Sequence, residues 1–258
     1  METRAWSDLV KVCYFSSGPR EKVLRAILEA GHEVAGVYVT DIKRWPGLRR
    51  TIELAELNKI PVETVVRDDL QDLGLRLRDQ IVFSAGFAFI FPPAFLAGPR
   101  LCLNLHGTLL PKYRGSRTLN WVIECEDGES GVTVHRIDEG VDTGPILLQR
   151  SFPLSPFETG RSLYRKTLAF EPKVAVEALA KLERGEATFS TQRNGAEQFP
   201  DRIPDHSQLD PSRSLNDLLP QIRAADPDLY PAYFFVNGEQ VCIRIWRPKK
   251  PATENDLV

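Results

Sequence analysis

Absences narrow the chemistry of this chain before any motif is weighed. No C-x-x-C pair occurs: Cys13, Cys102, Cys125 and Cys242 stand far apart, so neither a thiolate zinc site nor a disulfide framework is indicated and reduced core cysteines are expected. Histidine is scarce. Only His32, His106, His135 and His206 exist, and no H-E-x-x-H joins any two, so no metal is expected. An excess of lysine and arginine is also missing. A formal net charge of −2 argues against a nucleic-acid partner, because such proteins neutralise phosphates with a clear basic surplus. No apolar run approaches a membrane span, and "METRAWSDLVKV" lacks the apolar heart of a signal peptide; a cytoplasmic protein without membrane insertion is expected. The fingerprints G-x-G-x-x-G, G-x-x-x-x-G-K-[ST] and G-x-S-x-G are absent.

What is present reads as α/β. With 258 residues, 42% of them hydrophobic, the chain can bury one substantial core and carry a small appendage. Leu9 to Phe15 reads as a strand, "SSGP" as a turn able to hold an anion at the helix start, Arg20 to Ala30 as a helix stopped by Gly31, and Glu33 to Val39 as a strand. The alternation continues with a helix near Leu48 to Asn58, a strand in "IPVETV", a strand at Gln80 to Gly86, a Pro-started segment near Phe91 to Leu96 and the strand "RLCLNLH". Such alternation predicts a doubly wound, mostly parallel sheet with its ligands at the carboxyl ends of the strands.

Thr118 to Glu124 is expected to be helical, and Gly131 to Ile137 and Pro145 to Phe152 to be strands joined by "DEGVDTG". Ser155-Pro156-Phe157-Glu158 has the form of a capping box for a helix running to Arg184, with Pro172 expected to interrupt it. Beyond Gly185, "QFPDRIPDHSQLDPSRS" has linker chemistry, and "YFFVNGEQVCIRIW" carries a hairpin signal at Asn237-Gly238. The expected division is a catalytic domain over 1–188 and a small C-terminal subdomain over 189–258.

Within "LCLNLHGTLLPKYRG", the period-two alternation of a strand points Asn104 and His106 the same way, at the carboxyl end of the strand. The glycine-framed loop "DEGVDTGP" can turn tightly and present Asp142 inward; an aspartate that merely caps an ordinary hairpin is the plain alternative. Asn, His and Asp converging at strand ends suggest an amide donating to a developing oxyanion, an imidazole moving a proton and a carboxylate orienting the imidazole. Thr108 and Cys102 are poorly placed as nucleophiles. Direct acyl transfer between two bound substrates needs none. His32 and His206 are expected to be solvated and bland, and His135 faces either the pocket or the surface.

"NLHGTLLPKYRG" followed by "GVTVHRIDEGVDTGPILLQ" resembles the core of the formyltransferases that use N10-formyltetrahydrofolate, whose pattern is N-x-H, S-L-L-P with R-G, and an aspartate in D-T-G. The similarity runs from "LRAILEAGHEVAGVYV" to about Gln149, and "YPAYFFVNG" resembles the hairpin that follows the catalytic domain in tRNA and sugar formyltransferases. The resemblance implies a Rossmann-like formyltransferase fold, a catalytic trio of Asn104, His106 and Asp142, and a pterin held by Phe89, Ile90 and Phe91. The loop with Asp138, Glu139 and Gly140 would close over it. Thr108 stands where the family usually has Ser.

The implied acceptor is a primary amine. Among family members, a nucleotide-linked amino sugar for bacterial surface polysaccharide fits best on overall resemblance, GDP-perosamine first, with Arg114 and Arg117 candidates for its pyrophosphate. Trp45 and Trp121 are candidates for stacking on a sugar or base, buried packing being the plain alternative. Glycinamide ribonucleotide and methionyl-tRNA formyltransferases, a formyltetrahydrofolate hydrolase and a folate-binding regulatory protein stay open. The apolar hairpin suggests a homodimer.

Overall fold

The computed structural model describes residues 10–193 and 199–251. Strand β1 (Lys11–Ser16), helix α1 (Glu21–Glu29) and strand β2 (Glu33–Val39) form the opening unit, followed by α2 (Arg49–Leu57), β3 (Val62–Thr64), α3 (Leu70–Arg76), β4 (Ile81–Ala85), α4 (Pro93–Leu96) and β5 (Leu101–His106). Then come α5 (Leu119–Glu124), β6 (Glu129–Arg136), β7 (Ile146–Pro153), α6 (Gly160–Glu183), α7 (Leu215–Ala224), β8 (Ala232–Val236) and β9 (Glu239–Ile243). The main sheet has the order β3-β2-β1-β4-β5-β6-β7. Strands β1 to β5 pair in parallel, whereas β6 is antiparallel to both β5 and β7.

The expected doubly wound sheet is therefore present, and its strand order reverses between β1 and β4. That is where an open α/β sheet leaves a crevice beyond its carboxyl ends. Both faces are covered, so central strands are apolar throughout: β4 is buried at every position, and Tyr14, Phe15, Phe83 and Leu103 are wholly inaccessible. Strands β8 and β9 form a separate hairpin whose turn residues Asn237 and Gly238 both have positive φ, 50° and 84°, the geometry that matches strand twist.

Several expectations gave way to packing. Helix α3 was not anticipated, because Gly74 at its middle lowers helix propensity; burial of Leu70 and Leu73 outweighs that cost. The cap of α6 lies one turn later than expected, at Thr159, whose Oγ1 accepts from the Ser162 backbone while Ser162 Oγ accepts from the Thr159 backbone. Ser155 instead closes a separate turn, accepting from Phe157 N and, through its carbonyl, from Glu158 N. Pro172 does not interrupt α6. The helix runs unbroken because Leu163 before the proline and Val174, Ala175, Ala178, Leu179 and Leu182 beyond it are fully buried, which outweighs the ~3 kcal/mol a helical proline costs.

The polar stretch after Gly185 is a docked segment rather than a loose linker. Phe199 stacks on Tyr113 with centroids 4.7 Å apart, Trp121 Nε1 donates to Pro200 O at 2.8 Å, and Arg202, Ser207 and Leu209 are buried. The unanticipated helix α7, capped by Ser214, buries Leu218 and Ile222 against Leu209 and Ala232. The beginning of the expected first strand, the N-terminal stretch 1–9, residues 194–198 and the end 252–258 lie outside the described residues. His32 is buried rather than solvated. None of the four cysteines is in a disulfide, but only Cys13 and Cys102 are in the core; Cys125 and Cys242 are exposed.

Candidate active site

One large cleft, about 860 Å³, opens beyond the carboxyl ends of β1, β4 and β5 and is lined by Asn104, His106, Asp142 and Phe89 among others. Its centre follows from the sheet. Asn104 and His106 lie two apart on β5, and the β5–β6 register sets His135 directly opposite Asn104 and therefore on the same face. Asp142 comes to them on the β6–β7 connection. Its backbone adopts φ +52°, a left-handed conformation an aspartate tolerates better than most residues.

The two framing glycines do not serve the turn as expected. Neither has positive φ; each is required by space. A Cβ at Gly144 would lie 1.9 Å from the Arg136 carbonyl oxygen, and one at Gly140 would lie 2.1 Å from Thr143 Oγ1. The conformational strain is carried by Asp142 itself.

Asp142 is the hub. Its Oδ2 accepts from Gly115 N at 2.9 Å and lies 3.3 Å from His106 Nδ1, while Oδ1 accepts from Asn104 Nδ2 at 3.3 Å and lies 3.3 Å from His135 Nε2. The other nitrogen of each imidazole meets a backbone carbonyl, His106 Nε2 on Tyr113 O at 2.9 Å and His135 Nδ1 on Arg136 O at 2.8 Å. Carbonyl oxygens only accept, so those nitrogens carry the protons. The nitrogens facing Asp142 are then protonated only when the rings are cationic. Burial alone would raise the Asp142 pKa, but the two imidazoles and the Gly115 amide hold its carboxyl well below the usual carboxylate range.

A second residue legible only in three dimensions supports the hub. Gln192 Nε2 donates to the Asp142 and Gly144 carbonyls at 2.9 and 2.7 Å, and its Oε1 accepts from Arg114 at 3.1 and 2.7 Å. Arg114 is thereby turned to Gln192 and does not line the cleft, whereas Arg117 does, from a backbone at φ +55°. Of the loop residues, Asp138 and Gly140 line the cleft, and Asp138 also accepts from Thr143 Oγ1 at 2.7 Å; Glu139 is exposed and outside the lining. His135, undecided from its alternation alone, belongs with the trio. Trp45 stands exposed after β2 and Trp121 packs under the Arg202 guanidinium, so neither lines the cleft.

No nucleophile joins the cluster. Thr108 donates its hydroxyl to Tyr113 O at 3.2 Å, and burial pushes the Cys102 thiol up to about 12. Among the described residues there is no group of side chains that could hold a metal ion, and no helix is long and apolar enough to cross a membrane. The arrangement can donate hydrogen bonds to one developing negative charge and relay a proton, without forming a covalent bond to the protein.

A switch-point cleft holding an amide, two imidazoles and an ionised carboxylate suits an enzyme that transfers a group between two bound substrates. The formyl transferase family model matches residues 20–179, and the chain belongs to that family. It is an N-formyltransferase. Methionyl-tRNA formyltransferase of Marinobacter nauticus is 30% identical over 228 residues, spanning 84% of this chain and 72% of the relative. Among solved structures, a sugar N-formyltransferase of a Shewanella species aligns over 92% of this chain and 98% of its own, with TM-score 0.71 and 19% identity. An N-formyltransferase of Helicobacter canadensis, solved with folinic acid and dTDP-3-aminofucose, aligns over 90% of this chain and 85% of its own at TM-score 0.68 and 23% identity.

The family takes its formyl group from formyltetrahydrofolate, and the cleft fits such a donor. Among the described hydrogen bonds none uses the main-chain groups of Phe89, Ile90 or Phe91, so these peptide groups are available at the cleft wall for the ring edges of a flat heterocycle. Ile90 is 65% exposed there, and the rings of Phe87 and Phe91 stack beneath the loop at 5.3 Å.

Proposed function

We propose that this enzyme moves the formyl group of N10-formyltetrahydrofolate onto the primary amine of a nucleotide-linked amino sugar, a step in making bacterial surface polysaccharide. The observation that carries the chemistry is the convergence of Asn104, His106 and His135 on Asp142 in a cleft roomy enough for the reacting ends of two substrates. The acceptor class is supported by the likeness to sugar N-formyltransferases, which covers 92% and 90% of this chain and so more than the family core at 20–179.

The bound donor would supply an activated formyl group on a nitrogen able to leave. Phe89, Ile90 and Phe91 hold its ring through their peptide groups, with Asp138 and Gly140 on the other side. Asn104 Nδ2 and the protonated His106 donate to the formyl oxygen as negative charge develops on it. Losing one such donor costs about 3 kcal/mol of barrier. Asp142, held ionised, orients both imidazoles; the protonated His106 gives its proton to the leaving nitrogen while water takes one from the amine and returns it to His106. On this reading residues 1–188 form the catalytic domain and 189–258 a small subdomain, the enzyme works in the cytoplasm, and two copies associate through the hairpin.

Methionyl-tRNA is the second reading, favoured by the 30% identical curated relative. The deciding assay incubates the chain with N10-formyltetrahydrofolate and, in turn, GDP-perosamine, dTDP- and UDP-linked amino sugars, glycinamide ribonucleotide and methionyl-tRNA, reading the formyl mass gain. A gain on one nucleotide sugar, lost in His106→Ala and Asn104→Ala, is the expected result. A gain on methionyl-tRNA alone would replace it, and formate release with no acceptor would mark a hydrolase.

A further inference from the structure

The cleft is not closed by the sheet alone. Part of its rim is a short loop, Asp226 to Tyr230, that follows α7 and belongs to the C-terminal part of the chain. This loop is pinned. Asp226 Oδ1 accepts from Asp228 N at 2.9 Å and Leu229 N at 3.0 Å, and Tyr230 N donates to Asp226 O at 2.9 Å. Arg161, in the first turn of α6, grips it from the main body, its Nε donating to Asp226 Oδ2 at 3.0 Å and its Nη1 to Asp228 Oδ2 at 2.6 Å. Arg244 of the segment after β9 pairs with Asp228 as well.

The product of this bracing is two apolar side chains held out in the open. Leu229 is 71% exposed and Tyr230 47% exposed, and both line the same cleft as Asn104, His106 and Asp142. A loop of this kind gains nothing for folding by displaying them; exposed leucine and tyrosine on a rigid, ion-paired frame in a concave site suit a flat apolar ligand, which an aromatic ring covers at little entropic cost. Tyr164, 39% exposed on α6, and Arg117 line the same cleft, adding a second ring and a guanidinium suited to phosphate.

We infer that Leu229 and Tyr230 bind the nucleobase of the acceptor, with Arg117 on its phosphates, so that the C-terminal subdomain selects which nucleotide-linked amine is formylated. The inference rests on the proposed acceptor class and adds to it the residues that read the nucleotide. Both side chains are solvent-facing, so their truncation leaves the core intact.

The test is calorimetric titration of GDP, UDP and dTDP into the full-length wild-type chain and into Tyr230→Ala, Leu229→Ala and Tyr230→Phe. At least one nucleotide is expected to bind, with affinity falling about tenfold in Tyr230→Ala and held in Tyr230→Phe. With the matching nucleotide sugar, KM for the acceptor rises by the same factor while kcat and KM for the formyl donor stay within about twofold. Equal nucleotide affinity in wild type and Tyr230→Ala overturns the inference, as does a change confined to the formyl donor or to the association state. Formylation of a nucleotide sugar with an unaltered KM in Tyr230→Ala would sink this inference and leave the acceptor class standing. Formylation of methionyl-tRNA with no nucleotide sugar accepted would remove both.

Discussion

Two largely buried carboxylates line the same cleft, and their pKa values are displaced in opposite directions. Asp142, at the β5–β6 side, receives an aligned amide from Gly115 and another from Asn104 and faces two imidazoles, and its pKa is driven down. Glu171, on α6 towards the β1–β4 crevice, is 1% exposed and lies with Oε2 2.6 Å from Arg20 Nε, but the contact is off the line of a hydrogen bond and the Thr167 hydroxyl nearby has no partner. There burial prevails over the arginine, and the Glu171 carboxyl is pushed up to about 7. Burial is common to both. What separates them is the number and alignment of donors, which decides whether desolvation or compensation wins.

The largest break in this comparison comes from disarming the compensated carboxylate. Asp142→Asn keeps the shape but loses the charge that holds the imidazoles, and is expected to lower kcat/KM by about 10³ and to lower Tm above about pH 4, read by steady-state kinetics beside a thermal melt. Asn104→Ala removes one donor to the formyl oxygen and should cost about 10² in kcat, with KM for the formyl donor nearly unaltered. A smaller loss, roughly tenfold in kcat, is expected for Gln192→Ala, because the Asp142 loop keeps its Gly115 contact but loses the staple to its backbone. Unaltered kinetics in that variant would show that the loop holds itself.

The comparison is sharpened by pH. Asp142 has a folded pKa below its ordinary 3.8, so its contribution to stability is present above that value and is lost as the pH falls further. Glu171 has a folded pKa raised from 4.5 to about 7, so its contribution is complete below 4.5 and is lost as the pH rises through about 7. Melting curves across pH should therefore flatten between 4.5 and 7 in Glu171→Gln, and only below about 4 in Asp142→Asn. A wild-type Tm independent of pH between 4.5 and 7 would show that Arg20 compensates Glu171 fully. The smallest effect is local: Thr159→Ala, which removes the cap of α6, should cost about 1 kcal/mol in denaturant unfolding.

Much of the fold could be read in one dimension because local signals and burial agreed. Strands β1, β2, β4, β5, β6 and β7 follow apolar runs bounded by turn residues, and α1 ends where Gly31 takes φ +86°. The misreadings share one cause. At Pro172, in α3 and in the segment from Phe199 to Leu209, local chemistry pointed away from the observed structure and contacts with residues remote in sequence prevailed. Nothing in "QFPDRIPDHSQLDPSRS" by itself says that its aromatic and arginine residues have partners waiting on α5.

The candidate site divides along the same line. Asn104 and His106 share a face because a strand repeats every two residues, a rule that needs no partner strand, and their convergence was readable from spacing alone. His135 obeys the same rule, but which face it takes depends on its register against β5, which pairing sets and spacing does not. The Asp142 contacts, the Gln192 staple, the turning of Arg114 away from the cleft and the Arg20–Glu171 pair exist only once the chain has closed on itself. Sequence alone determined the periodicities, the stops and the family to which the chain belongs, because these are properties of neighbouring residues. Tertiary structure decided the direction in which each carboxyl pKa is displaced and the makeup of the cleft's outer rim, because desolvation and donor alignment depend on what the fold brings within about 3 Å.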